Sequence, residues 1–194
     1  MDPTNATPAS LNIVNPIYDL DEFLPLTTNW LSDPISRLRA YFTTHYFLAT
    51  DVNEGDLTIR QAPNKLCVIS LAKRHPGRGS GKDDLSPLSI TFSDFKGIVG
   101  KNKKHAPTVN SISPLAEITT ADGNIHIVRA AVHGQVMELN ERLLKEPMLM
   151  RQKPDTEGFI AIIKPKIENS EKALSHCVTE EKWHEKDGDH VMNA

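Results

Sequence analysis

The stretch VHGQVMELNERLLKEPMLMRQKPDTEGFIAIIKP, residues 132–165, decides the fold. Gly134 interrupts an apolar run that continues as a strand through Gln135, Val136, Met137, Glu138 and Leu139. Asn140 ends the strand and is placed to cap a short helix over 141–146, which Pro147 stops. A polar loop follows, and the apolar run from Gly158 to Lys164 reads as a further strand. The order strand, cap, short helix, strand predicts a mainly β domain.

Upstream of this stretch the β pattern persists. Residues 56–60 alternate between polar and apolar, and 65–72, after a turn at Asn64, read as a buried strand in which Cys67 is a small core residue. Residues 88–92 form another strand. Residues 115–120 and 124–132 flank Ala121-Asp122-Gly123-Asn124. Asp-Gly between alternating runs predicts a hairpin, with both central residues free to take positive φ. Before the β region, Asp33-Pro34 is a helix start. Ile35, Leu38, Tyr41, Phe42, His45 and Tyr46 then recur near a helical period, predicting an amphipathic helix over 34–47.

The ends differ from this middle. Residues 1–32 are rich in Pro, Asn, Thr and Asp and predict a disordered acidic arm, with one acidic-hydrophobic patch at 17–26. After Lys166 the chain turns polar and charged, so 168–194 predict an acidic tail or frayed helix. The domain is therefore placed at 33–167. Net charge is −3. Asp2, Asp19, Asp21, Glu22 and Asp33 make the first 36 residues −5, and seven acids against three lysines make 168–194 −4. The middle is +6 by difference. A basic body between acidic ends points to acidic partners.

Apolar content of 39% and a mean hydropathy of −0.37 fit a chain only part of which packs. No apolar run is long enough to cross a bilayer, so no membrane association is expected. The N-terminus has neither a basic nor an apolar signal region, and Cys67 and Cys177 make no disulfide framework; a nuclear or cytosolic setting fits.

Motifs for catalysis are missing. The sequence holds no G-x-S-x-G elbow, P-loop, H-E-x-x-H or dinucleotide fingerprint, and no enzymatic activity is expected. Residues 75–81 are glycine-rich, but the acids at 83 and 84 and Pro87 argue against a phosphate cradle and for a flexible connector. His126 and His133, seven residues apart, would point to opposite faces of a regular strand. His176, Cys177, His184 and His190 lack zinc-type spacing. Neither a metal nor another cofactor is expected. Two basic clusters remain: Lys73 and Arg74 with Arg78 and Lys82, and Lys96, Lys101, Lys103 and Lys104 with His105. They suit an acidic protein surface, and Lys101-Asn102-Lys103-Lys104 also suits a nuclear import signal. Without interleaved aromatics or a recognised module, direct nucleic-acid binding is not expected.

Three segments carry a family resemblance. They are Arg39 to Tyr46, Asn64 to Ala72 with His75-Pro76, and Gly134 to Asn140 running through Lys153-Pro154-Asp155-Thr156-Glu157-Gly158-Phe159-Ile160-Ala161 to Lys166. In these, residues 37–167 resemble the Abitram (Simiate) family, itself similar to the glycine cleavage H protein. The resemblance implies a barrel-sandwich fold of the single-hybrid, lipoyl/biotinyl carrier-like kind, with an N-terminal helix and flexible termini. It also implies a non-enzymatic protein that binds actin, as monomer or filament, and modulates its polymerisation. Nuclear protein partners, and a location in nuclear speckles, cytoplasm and actin-rich projections, are implied as well. No motif fixes the actin contacts, so Lys73, Arg74, Lys96, Lys101, Lys103 and Lys104 stand as candidates on charge alone. A carrier would need one lysine at a hairpin tip. By the resemblance that position falls at about Gly123, where this chain has Asp122-Gly123, and lipoylation is not expected. Two alternatives stay open: a nuclear adaptor that does not touch actin, and a carrier-like protein.

Overall fold

A computed structural model describes residues 34–51, 53–79, 84, 86, 88–95, 106–166, 168 and 172–191. The expectations for residues 1–32, and for the loop holding Lys96, Lys101, Lys103 and Lys104, lie outside the described residues. The chain divides into two units, 1–37 and 38–194. Of the first, only 34–37 are described, as the opening turn of helix α1 (Pro34–Tyr41).

The second unit is mainly β, as the sequence predicts. Its strands are β1 (Thr43–Phe47), β2 (Leu57–Gln61), β3 (Cys67–Leu71), β4 (Leu88–Phe92), β5 (Thr108–Val109), β6 (Pro114–Thr120), β7 (Ile125–Arg129), β8 (Gly134–Leu139), β9 (Ala161–Lys164) and β10 (Val178–Thr179). Two further α-helices are α2 (Leu149–Gln152), between β8 and β9, and α3 (Glu180–Val191), after β10. Seven strands form one antiparallel sheet in the order β10-β1-β2-β3-β9-β8-β5, and three form a second in the order β4-β6-β7.

Alternation in the strands gives each sheet one apolar face, and the core is their meeting. Leu57, Ile59, Cys67, Ile69, Leu71, Val136, Ala161 and Ile163 come from the large sheet; Leu88, Ile90, Leu115, Ile118 and Val128 come from the small one. Cys67 is fully buried, as expected of a small core residue.

Helix α1 is shorter than the apolar spacing predicts. It stops at Tyr41, and Thr43–Phe47 pairs residue for residue with β2, from Thr43 opposite Gln61 to Phe47 opposite Leu57. Thr43 and Thr44 are β-branched, and Tyr46 and Phe47 are aromatic; all favour a pleated strand. As a strand, this segment buries Tyr46 and Phe47 and leaves Tyr41 exposed.

Asn140 also acts differently from the expected cap. It does precede a 3-10 turn at Glu141–Leu144, but its side chain makes no capping bond. Its amide instead donates to the carbonyls of Glu157 and Phe159, both at 2.8 Å. Asn140 thus ties the end of β8 to the approach of β9. Gly134 is required where these strands start and finish together, because a Cβ there would lie 2.5 Å from the Lys164 carbonyl oxygen.

The acidic segment after residue 167 joins the fold rather than trailing from it. β10 pairs with β1, and Trp183 on α3 is 2% exposed. An aromatic anchor in a charged stretch explains this, because a buried indole removes a large apolar area from water.

The crossover from the large sheet to the small one contains residues 75–81, which the sequence predicts to be a flexible glycine-rich connector. Its described part is pinned. His75 accepts the Gly77 amide at 3.0 Å and opens a 3-10 turn at Pro76–Arg78. Arg151 on α2, with its side chain 2% exposed, donates to the carbonyls of Gly77 (2.9 Å), Asp84 (3.2 Å) and Ser86 (2.8 Å) and pairs with the Asp84 carboxylate at 3.3 Å. Arg151→Ala would strand buried acceptors and the Asp84 charge. We expect it to destabilise the fold by about 3–5 kcal/mol, measured as a lower urea midpoint with unchanged slope; Arg142→Ala, which breaks only exposed ion pairs with Glu146 and Glu157, should leave the midpoint close to that of the wild type.

Candidate functional site

Three places on this scaffold carry candidate functional groups: the β6–β7 turn, the buried histidines beside it, and the basic surface.

The turn forms as a hairpin, with Thr119 opposite Ile125 in the ladder. Its backbone differs from the expected two-residue type. Gly123 N donates to Thr120 O at 2.9 Å, Thr120 N donates to Asn124 O at 3.0 Å, and only Gly123 is left-handed, at φ 82°. This is a three-residue loop, a type I turn closed by a left-handed residue. The β2–β3 turn repeats it: Lys65 N donates to Ala62 O, Ala62 N donates to Leu66 O, and Lys65 takes φ 69°.

A carrier group would need an amine at the β6–β7 tip. The side chains there are Ala121, Asp122 and Asn124. Asp122 is already engaged: its carboxylate accepts the Thr120 hydroxyl at 2.5 Å and the Asn124 amide. Those hydrogen bonds, the Thr120 hydroxyl first, hold it below the usual carboxylate range. A lipoyl or biotinyl group attached through lysine does not fit this turn.

Beside the turn, a cleft of about 320 Å³ is lined by Gly79, Asp84, Ser86, Asp122, His126 and Arg151 among others. His126 stands in one rung of the small sheet with Ile90 and Ile118, so the register turns it inward. Its ring lies 6.1 Å from that of His75, edge to face, and both residues are buried. His75 Nε2 and His126 Nδ1 have no hydrogen-bond partner. A Cβ on Gly55 would lie 2.3 Å from the His75 ring, so Gly55 makes the space for it. Burial, aided by His126 and Arg78, pulls the His75 imidazole down to about 3. This pair was not legible from sequence spacing. His133 stays exposed, because β7 ends at Arg129 and the regular strand assumed for the two histidines does not reach it. Among the described residues no cluster of three or more His, Cys, Asp or Glu could hold a metal ion. Burial pushes the Cys67 thiol up to about 11 and Cys177 up to about 12, so both stay protonated and weakly nucleophilic at neutral pH.

Of the basic candidates, Lys73 is exposed at the turn after β3. Its neighbour Arg74 is engaged inside the protein. The Arg74 guanidinium lies over the Trp183 ring, 4.2 Å from its centroid, pairs with Asp56 at 3.1 Å and donates to the Trp183 carbonyl at 3.3 Å. Asp56 also accepts the Trp183 indole N–H at 2.8 Å. A separate cleft of about 550 Å³ is lined by His133, Gln135, Lys164, Lys166 and Glu168 among others. No helix among the described residues is long and apolar enough to cross a membrane.

Comparison with known proteins assigns this scaffold. The chain is 37% identical over 134 residues to Protein Abitram of Homo sapiens, covering 67% of this chain and 74% of that protein. The chain belongs to the Abitram family. Two further members are Protein Abitram of Gallus gallus, 34% identical over 152 residues (75% of this chain, 87% of that one), and of Drosophila melanogaster, 30% identical over 163 residues (84% and 75%). The family pattern described as Glycine cleavage H-protein matches residues 99–189. Among solved structures, a glycine cleavage system H protein from Mycobacterium marinum superposes with a TM-score of 0.50 at 13% identity, covering 74% of this chain and 96% of that one. This member of the Abitram family therefore has the H-protein-like fold that the resemblance implies.

Buried His75 gives a pH dependence. His75 is neutral in the folded state, well below its ordinary value of 6.5, so the unfolded chain takes up the proton first as pH falls. Its contribution is complete above pH 6.5 and is lost as pH falls toward 3. Melting temperature should drop between pH 7 and 4, and His75→Gln should flatten that slope by up to about 1.4 kcal/mol per pH unit. An unchanged slope in calorimetric or denaturant titrations would count against this account.

Proposed function

We propose that this chain is a non-enzymatic actin-binding protein that regulates actin polymerisation in cell projections and also acts in the nucleus. Membership of the Abitram family is the observation that carries the reading. Two features support it. The turn at Asp122-Gly123 lacks a group to carry acyl chemistry. The body bears the positive charge, so an acidic protein surface would be steered toward it.

In this reading Lys73, Lys96, Lys101, Lys103 and Lys104 contact actin, monomer or filament, and the acidic residues 1–32 recruit nuclear proteins. The protein works in nuclear speckles and in the cytoplasm, including actin-rich projections. Steering by exposed charges weakens with salt. The chain should therefore pellet with filaments at low ionic strength and progressively less as salt rises; absence from the pellet at low salt, together with no effect on monomer polymerisation, would overturn the reading.

The run Lys101-Asn102-Lys103-Lys104 favours a second reading, in which the chain is a nuclear adaptor without direct actin contact. Replacing Lys101, Lys103 and Lys104 together by Ala separates the two. Weaker pelleting with normal nuclear entry supports the actin reading, whereas lost nuclear entry, with neither the variant nor the wild type in the pellet, supports the adaptor reading.

A further inference from the structure

Ala173, Leu174 and Cys177 pack in the main core, whereas the segment 178–191 is attached by a separate contact set. Its strand adds two residues to the sheet, Thr179 opposite His45 and Val178 opposite Tyr46. Its helix contributes one large buried side chain among its described residues, Trp183. The indole stacks on Tyr46 with ring centroids 4.4 Å apart and planes 10° from parallel. Tyr46, Ala72 and Trp183 make a small buried cluster of their own, flanked by Leu48 and Val178 and distinct from the cluster between the two sheets. Around Trp183 the helix is exposed at Glu181, Lys182, His184 and Glu185.

Removing this segment would leave the rest of the sheet whole. β1 keeps five paired residues with β2, and β2 keeps five with β3. Undocking would change two things. The outer edge of β1 would regain free N–H and C=O groups, which accept an added strand. Arg74 would lose the indole and the Trp183 carbonyl that now cover it. The covering helix is itself acidic: Glu180, Glu181, Glu185, Asp187 and Asp189 outnumber Lys182 and Lys186. Its sequence thus carries the same sign of charge that an acidic partner would bring.

We propose that residues 178–191 form an autoinhibitory strap, which occupies the β1 edge and covers Arg74 until an acidic protein surface displaces it. That the partner is actin rests on the function proposed above; the strap itself rests on the geometry. Local opening of a segment held at a two-residue strand pairing and around one buried side chain, with the core intact, is ordinary behaviour for a sub-globular unit.

Full-length Trp183→Ala is the test, with Val178→Asp as a second variant that disturbs the same small cluster from the strand side. Hydrogen exchange should accelerate about tenfold or more at the β10-facing amides of residues 43–47 in both variants, and stay unchanged at the β2-facing amides and over 57–61, 67–71 and 161–164. Loss of protection in all four segments together would make the segment an integral part of the core and overturn the proposal. A labelled peptide of residues 176–191, added in trans, should bind the variants about tenfold more tightly than the wild-type chain; equal binding would also overturn it. Filament pelleting should be stronger for the variants. If the variants capture peptide but neither they nor the wild type bind actin, the actin reading fails and the strap stands. If the variants capture peptide and the chain binds actin no more tightly than before, the strap does not inhibit and the proposal fails.

Discussion

The buried Arg151 guanidinium is the constraint on which the arrangement of the two sheets depends. The chain passes from the seven-stranded sheet to the three-stranded one through residues 72–87, and Arg151 holds that passage at Gly77, Asp84 and Ser86. A planar group with five donors suits three carbonyls and a carboxylate better than an ammonium could. A buried charge of this kind adds little net stability against an apolar replacement but penalises every arrangement that leaves it unpaired. Its effect is to fix where β4 begins, and through the β4–β6–β7 ladder to bring Ile90, Ile118 and Val128 over the apolar face of β2, β3 and β9.

A second linkage acts on the other flank of the small sheet. Glu54, buried before β2, accepts Arg129 on β7 at 2.6 Å, and its segment bridges Ile127. Burial works to raise the Glu54 carboxyl, but hydrogen bonds from Arg129 and Thr50 outweigh it and hold the group below its ordinary value. The small sheet is therefore fastened by an ion pair on the side away from Arg151, and its apolar face has one position over the core. His126 is carried inward by the same register, against the ring of His75.

Sequence alone gave access to the strands because their alternation and their turns are local. Leu88–Phe92 was legible residue for residue, and both hairpins were marked by turn residues. The helix was extended too far because Phe42, His45 and Tyr46 happen to fall at helical spacing, whereas Thr43 and Thr44 carried the opposing preference. What stayed hidden was set by partners far along the chain. Arg74 reads as a free cation until Trp183, 109 residues later, lies beneath it. Asn140 reads as a cap until the carbonyls of Glu157 and Phe159 are brought to its amide. The pairing of His75 with His126 depends on two crossovers and a strand register that no spacing rule contains.

The two three-residue turns also bear on how freely this scaffold could trade one chemistry for another. Nothing lies within 4 Å of a Cβ placed on Gly123. The cost of any side chain at that tip is then the left-handed backbone alone, about 1–2 kcal/mol, a strain the chain already accepts at Lys65. No core residue, sheet register or ion pair would have to change for a lysine to stand there or to be lost. The barrel and the reactive tip are thus independently replaceable parts, so a prosthetic arm could be grafted onto this hairpin, or abandoned by an ancestor, without remodelling the protein beneath it.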